Sequence, residues 1–191
     1  MEYVEPIRNR KTIDDIKKIL KATNLRNYCL FILGINSGLR ICDLLNLKIK
    51  DVVDERRKIK DRITIREQKT GKVKNFPIAD TAKKALMEYL ITRDFLLDEP
   101  LFLSKKGKKG KQTIGRQQAY RIINKIVRMV GLKEGYGTHT LRKTFGYHAY
   151  QSGTDISILQ KLFNHSAPCV TLAYIGITQD DLDDVYLNLN L

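Results

Sequence analysis

The sequence predicts a predominantly helical α+β domain with a small antiparallel sheet, and three observations carry that expectation. Apolar residues recur at three- and four-residue intervals over most of the 191 positions, as amphipathic helices require. Between Ile49 and Ile65 the period drops to two, apolar residues alternating with charged ones as on half-buried strands. The composition, 42% hydrophobic and 29% charged, is that of a packed globular domain rather than a disordered tail. No internal repeat, low-complexity domain or interdomain linker is visible, so residues 1–191 read as one domain with one core.

In chain order, Thr12 or Asp14 caps a first helix that turns Ile13, Ile16, Ile19 and Leu20 inward. The segment from Leu25 to Asn36 is apolar almost all round and is expected at the centre; Ser37-Gly38 stops it. Leu39-Arg40 opens a third helix with Ile41, Leu44 and Leu45 on one face. Positive charge at a helix N-terminus opposes the helix dipole, so Arg40 has little structural motive. Strands follow at Ile49–Val53, Ile59–Ile65 and, across a turn at Thr70-Gly71, beyond Lys72, giving a three-stranded sheet with Lys69 near the hairpin tip. A helix from Asp80 or Thr81 buries Ala82, Ala85, Leu86, Tyr89 and Leu90. Thr113 leads another, with Ala119, Ile122, Ile123, Ile126 and Val127 inward and Arg116 and Arg121 elsewhere on it. Thr138 is a candidate N-cap for a helix that carries His139 and Arg142 on one face. Asp155 caps the next helix, Asn164-His165-Ser166 turns, Pro168 starts a short helix reaching Tyr174, and Thr178 to Asp181 resembles a capping box.

Composition narrows the partner. The formal net charge of +14 puts a polyanion first, nucleic acid ahead of a membrane surface. The longest apolar run, Tyr28 to Ile35, is too short to span a bilayer, and no signal peptide is visible. Three cysteines without C-x-x-C spacing read as free thiols of a reducing cytoplasm rather than a disulfide or zinc site. Lys105, Lys106, Lys108, Lys109 and Lys111 form a cationic loop which, with Arg116 and Arg121, is expected to hold DNA phosphates.

Six groups lack a structural motive: Arg40, Lys69, His139, Arg142, His165 and Tyr174. Two guanidinium groups neutralise the non-bridging oxygens of a phosphodiester as charge grows on them. A lysine or imidazole protonates a departing sugar oxygen, and a tyrosine serves as covalent nucleophile once nearby positive charge or a base activates it. No acidic metal cluster accompanies them, which suits metal-free phosphoryl transfer.

Three segments carry a resemblance: Ser37-Gly38-Leu39-Arg40-Ile41-Cys42-Asp43, Thr138-His139-Thr140-Leu141-Arg142, and Phe163-Asn164-His165-Ser166 with Tyr174 nine residues after that histidine. In order and spacing they closely resemble the catalytic domain of the tyrosine recombinase, or phage integrase, family. The resemblance implies that Tyr174 attacks the scissile phosphate to give a 3′-phosphotyrosine and a free 5′-hydroxyl, while Arg40 and Arg142 clamp the phosphate. It further implies that Lys69 protonates the leaving oxygen, His139 assists proton transfer, His165 hydrogen-bonds the phosphate, and Asp43 orients a catalytic group. Lys72 and Lys74 share the hairpin, and a slip of the turn would pass the lysine's role to one of them. His148 and Tyr147 read as structural. No cofactor is expected, since the phosphodiester's energy is retained in the protein linkage. The reaction expected is site-specific recombination of double-stranded DNA, of integrase or invertase type and suited to a mobile element, in the cytoplasm at the nucleoid. A non-cleaving DNA-binding regulator and a type IB topoisomerase-like relaxing activity are the alternatives.

Two departures stand out. Asn164 replaces the family's usual glycine before the second histidine, and asparagine is the side chain most tolerant of left-handed backbone after glycine. Only about ten residues precede the first helix, where family members generally carry a separate N-terminal domain. The chain is therefore expected to be the catalytic domain alone, as an excised domain or a short recombinase. The apolar stripe of residues 178–191 either docks on a neighbouring subunit of a tetramer on DNA or packs on its own core.

Overall fold

The computed structural model describes residues 4–104, 112–133 and 135–189. The loop lysines from Lys105 to Lys111 lie outside the described residues.

Ten helices and one two-stranded sheet are present among these residues. Helix α1 (Arg10–Thr23) is capped by Asn9, whose side chain accepts from the Lys11 amide at 2.8 Å, rather than by Thr12 or Asp14. Helix α2 (Leu25–Ser37) buries nearly every residue from Cys29 to Gly34 and is the central element. It ends at Gly38, whose φ of 59° is the left-handed conformation glycine adopts without a Cβ penalty. Arg40 is the N-cap of the short α3 (Ile41–Leu45).

Residues 49–53 depart from expectation. Ile49–Val52 forms a one-turn helix, α4, in which Ile49 and Val52 share the inward face and Asp51 accepts from the Lys48 amide at 2.8 Å. Apolar residues three apart outweighed the two-residue alternation. The sheet consequently has two strands among the described residues, β1 (Arg62–Arg66) and β2 (Val73–Pro77), paired antiparallel with Ile65 opposite Lys74. The expected third strand survives as a single bridge, Val53 to Ile59. The intervening turn, with Arg57 in left-handed conformation, is too charged and tight to extend it.

Helix α5 (Asp80–Leu90) packs on α2, and α6 (Arg116–Met129) lies against α1 and α3. Thr113 does not lead α6. Its hydroxyl donates to the Leu45 carbonyl at 2.8 Å and its backbone bridges Leu103. Helix α7 (Thr140–Gln151) crosses α2, with α8 (Ile156–Phe163) and α9 (Pro168–Ile175) stacked on it around a second apolar cluster of Leu159, Phe163 and Ile175. Gly146 makes that stacking close: a β-carbon there would lie 2.6 Å from the Phe163 ring and 2.7 Å from Ile175. Helix α10 (Gln179–Leu189) begins with the expected reciprocal cap, Thr178 donating its amide and Asp181 its own amide to each other's side chains. Beyond this cap it exposes Val185, Tyr186, Leu187 and Leu189. No described helix is long and apolar enough to cross a membrane.

The N-terminal segment straps these layers together. The Ile7 amide donates to the Thr144 hydroxyl on α7 at 2.9 Å, and the Arg8 guanidinium donates to the Gly176 carbonyl at the end of α9 at 2.6 Å. His148 bonds the Ile7 carbonyl at 2.9 Å, and Tyr147 stacks under Arg8, so both are structural as expected.

Candidate active site

The C-terminal ends and starts of α2, α3, α7, α8 and α9 converge, and the site forms where they meet. Arg142, on the first turn of α7, is 3% exposed. Its guanidinium donates to the carbonyls of Gly38 and Phe163, the latter at 2.9 Å, and lies 4.4 Å over the Phe163 ring. The residues that terminate α2 and α8 thus hold the side chain in one orientation. Burial, reinforced by Arg40, pushes its pKa below the usual guanidinium range; an unneutralised cation held this way favours an incoming anion.

Tyr174 sits on the last turn of α9 with its hydroxyl 3.4 Å from His139 Nδ1. Its ring makes edge contacts with Phe163 and with His165, at centroid distances of 5.6 and 4.9 Å. The Lys143 ammonium lies 5.2 Å from the ring centroid. Burial holds the phenol above its ordinary pKa, while Arg142 and Arg40 pull it down without prevailing. The hydroxyl is therefore neutral at rest.

His139 is the N-cap of α7 rather than a residue inside it, with no side-chain cap bond. Its backbone is already right-handed helical, so it still shares a face with Arg142. Burial, then the charges of Arg116, Arg142, Lys143 and Arg40, hold its pKa below the usual value. Arg116, expected to bind DNA, is thus within electrostatic reach of His139. Arg121, a turn further along α6, is exposed beside Lys125, away from this cluster. His165 is shifted down for the same first reason, burial, with Arg142 and Arg40 next. It follows Asn164, whose φ of 55° is the left-handed turn expected of that residue. His165 Nδ1 pairs with the Thr171 hydroxyl at 3.1 Å, spending one ring nitrogen inside the protein.

Arg40 faces Glu67, with Nη1 3.0 Å from Oε1. The contact is an ion pair, and Nη1 is buried without a well-aligned hydrogen bond. Asp43 accepts from the Gln68 amide at 2.9 Å, tying α3 to the hairpin. Glu67 also accepts from the Thr70 hydroxyl at 2.7 Å. Burial pushes this carboxyl up, but Thr70, Arg40 and Lys74 together hold it below the usual carboxylate range.

Of the six expected catalytic groups, the structure brings five together: Arg40, His139, Arg142, His165 and Tyr174. Lys69 is not among them. It is exposed at the hairpin tip, where the Gly71 amide closes the turn on the Glu67 carbonyl at 2.9 Å. The hairpin lysine that faces into the site is Lys74. Its Nζ is shut off from solvent without a hydrogen-bond partner, and burial with Arg142 and Arg40 nearby lowers its pKa to about 8. Lys72 reaches Asn164 at 2.6 Å. Glu67 went unnoticed in the sequence, and Lys74 stood there only as an alternative to Lys69. The available signal was period: Phe76 packs inward from β2, so Lys74, two residues before it, faces the same way.

This arrangement defines a tyrosine recombinase catalytic domain in class. The phage integrase family model matches residues 9–180, and the chain belongs to that family. It is 45% identical over 186 residues to the "Probable integrase/recombinase YoeC" of Bacillus subtilis, covering 97% of each chain. It is 32% identical to the tyrosine recombinase XerC of Thermodesulfovibrio yellowstonii, covering 92% of this chain and 60% of that one. The fold matches a crystal structure of a XerH site-specific recombinase bound to a palindromic difH substrate, with a TM-score of 0.74 at 24% identity, over 97% of this chain and 52% of the other. The chain thus spans nearly all of YoeC but less than two thirds of the XerC and XerH chains.

Proposed function

We propose that this protein is a site-specific DNA recombinase that cleaves and rejoins strands through a phosphotyrosine intermediate. The observation that carries the reading is the Tyr174 hydroxyl, 3.4 Å from His139 Nδ1 and within the field of two inward-facing arginines. Arg142 and Arg40 take the non-bridging oxygens of the scissile phosphate, and their charge grows in value as the pentacoordinate state accumulates negative charge. Tyr174 attacks phosphorus, and its proton passes to neutral His139. The P–O5′ bond breaks, a proton from the hairpin reaches the departing 5′-oxygen, and the chain is left with a 3′-phosphotyrosine. Lys69 is the donor if DNA draws the hairpin tip inward. His165 donates to a non-bridging oxygen. Attack by a second 5′-hydroxyl reverses the chemistry on another strand, so no external energy source enters.

Double-stranded DNA is the partner, consistent with the net charge of +14 and with Arg116 near the site. The exposed apolar residues of α10 favour the reading in which it docks on a second copy, linking active sites in a tetramer on DNA. The protein acts where such DNA lies, at the nucleoid of the cytoplasm.

The test is covalent capture from a pool of nicked duplexes, in which departure of a short 5′-fragment traps the intermediate. Wild-type protein forms a denaturation-resistant adduct; Tyr174→Phe binds the same DNA and forms none. An adduct that persists in Tyr174→Phe overturns the assignment.

A further inference from the structure

Where the hairpin meets α3 and α7, three cations, Arg40, Arg142 and Lys74, gather with two carboxylates, Asp43 and Glu67. Three of their polar atoms, Arg40 Nη1, Lys74 Nζ and Asp43 Oδ2, have no hydrogen-bond partner. The groups that act on Lys74 come from every side: Arg142 from α7, Glu67 from the hairpin, and Arg40 and Asp43 from α3. Such a network is half made, and half-made buried networks are costly unless a further group completes them.

A phosphodiester is that group, but it cannot enter without a rearrangement. Arg40 presents one edge to Glu67 at 3.0 Å, and a guanidinium binds an oxyanion best with that planar fork free. If the phosphate takes the fork, the Glu67 carboxylate, 5% exposed, must find another cation or remain unpaired at high cost. Lys74 Nζ is buried with the Phe76 ring centroid 5.8 Å away and no hydrogen-bond partner, and it already feels Glu67 as its foremost attractive charge. The shielding of Nζ from solvent also argues against its touching DNA directly.

We propose that Lys74 is a positioning residue for strand cleavage: it accepts the Glu67 carboxylate when the scissile phosphate displaces it from Arg40. The exchange frees Arg40 for the phosphate and gives Lys74 Nζ a partner in the same step. It also moves the strand end that leads to Lys69, since Glu67 begins the turn carrying it. The inference rests on the reading of Arg40 as a phosphate ligand.

The test is a suppressor pair measured on the nicked duplexes. Lys74→Met is expected to slow adduct formation about tenfold or more, because Glu67 then has no alternative partner. Adding Glu67→Gln, which removes the carboxylate that must be displaced, restores most of the rate; Lys74→Arg keeps it within about threefold. A merely structural role for Lys74 would give a double variant no faster than Lys74→Met, and that result overturns the proposal. A second readout needs no DNA. With inorganic phosphate bound, the Lys74 ammonium signal in ¹⁵N-lysine spectra is expected to persist to higher pH than in phosphate-free protein, and not in Glu67→Gln. An unmoved Lys74 with phosphate bound also overturns the exchange. Wild-type protein that forms no adduct yet shows the Lys74 shift would instead sink the recombinase reading and leave the exchange standing.

Discussion

Gly146→Ala sets two measurable effects against each other. In the middle of α7 the substitution gains about 1 kcal/mol of helix propensity. The new β-carbon, however, would sit 2.6 Å from the Phe163 ring and 2.7 Å from Ile175, closer than packed carbons approach. Both neighbours are core side chains at about zero exposure, so neither can swing away, and overpacking of this kind costs up to about 3 kcal/mol. Sterics win, leaving a net loss of about 2 kcal/mol. Unfolding entropy of about 2.1 cal/mol/K per residue over 191 residues converts this to a Tm lower by about 5 °C. The functional loss is expected to be larger than the stability loss. Phe163 holds Arg142 through its carbonyl and ring, and Ile175 adjoins Tyr174, so relief of the clash displaces the proposed phosphate clamp and the proposed nucleophile together. A misplacement of about 1 Å costs about a hundredfold in rate. Thermal melting and single-turnover adduct formation read the two effects, with Gly115→Ala as control, since nothing lies within 4 Å of a β-carbon there. A Gly146→Ala protein with wild-type Tm and wild-type adduct rate would refute the packing argument.

Lys74→Met should raise Tm while it lowers activity. The folded-state pKa of about 8 lies below the ordinary 10.5, so the protonated lysine destabilises the fold at neutral pH, by at most about 3 kcal/mol; a lower Tm at pH 7 would contradict this. For His139 and His165 the folded state disfavours the proton. The unfolded chain therefore binds more protons below its ordinary histidine pKa, and stability falls as pH drops from about 6.5 toward 5. Replacing both histidines by asparagine should flatten that slope in melts across pH 5–7. Arg8→Met removes the bond to the Gly176 carbonyl and should cost about 1 kcal/mol, with adduct formation reduced because the end of α9 loosens. Removal of residues 179–191 should leave Tm within a few degrees but abolish tetramers on DNA in analytical ultracentrifugation.

Much of the site was legible because its parts are local. A left-handed turn before His165, a proline at the start of α9 and a fixed nine-residue spacing place Tyr174 against His165 with little help from the rest of the chain. Arg142 was legible from its three-residue spacing to His139 on one helix face, and the structure adds carbonyl partners at Gly38 and Phe163, where α2 and α8 end. The lysine was not. Lys69, Lys72 and Lys74 differ only in register on one hairpin, and a tertiary contact, the fit of Phe76 against the core, decides which faces in. Segment 49–53 failed similarly, since Ile49, Val52 and Val53 satisfy a strand and a helical turn alike until Asp51 caps Lys48.

Mapping the covalent linkage tests the central claim most directly. Adduct from nicked duplex, digested and sequenced by mass spectrometry, should carry the nucleotide on Tyr174 alone, joined through a 3′-phosphate with a free 5′-hydroxyl on the released strand. A nucleotide on any other residue, or a linkage through the 5′-phosphate, would contradict it.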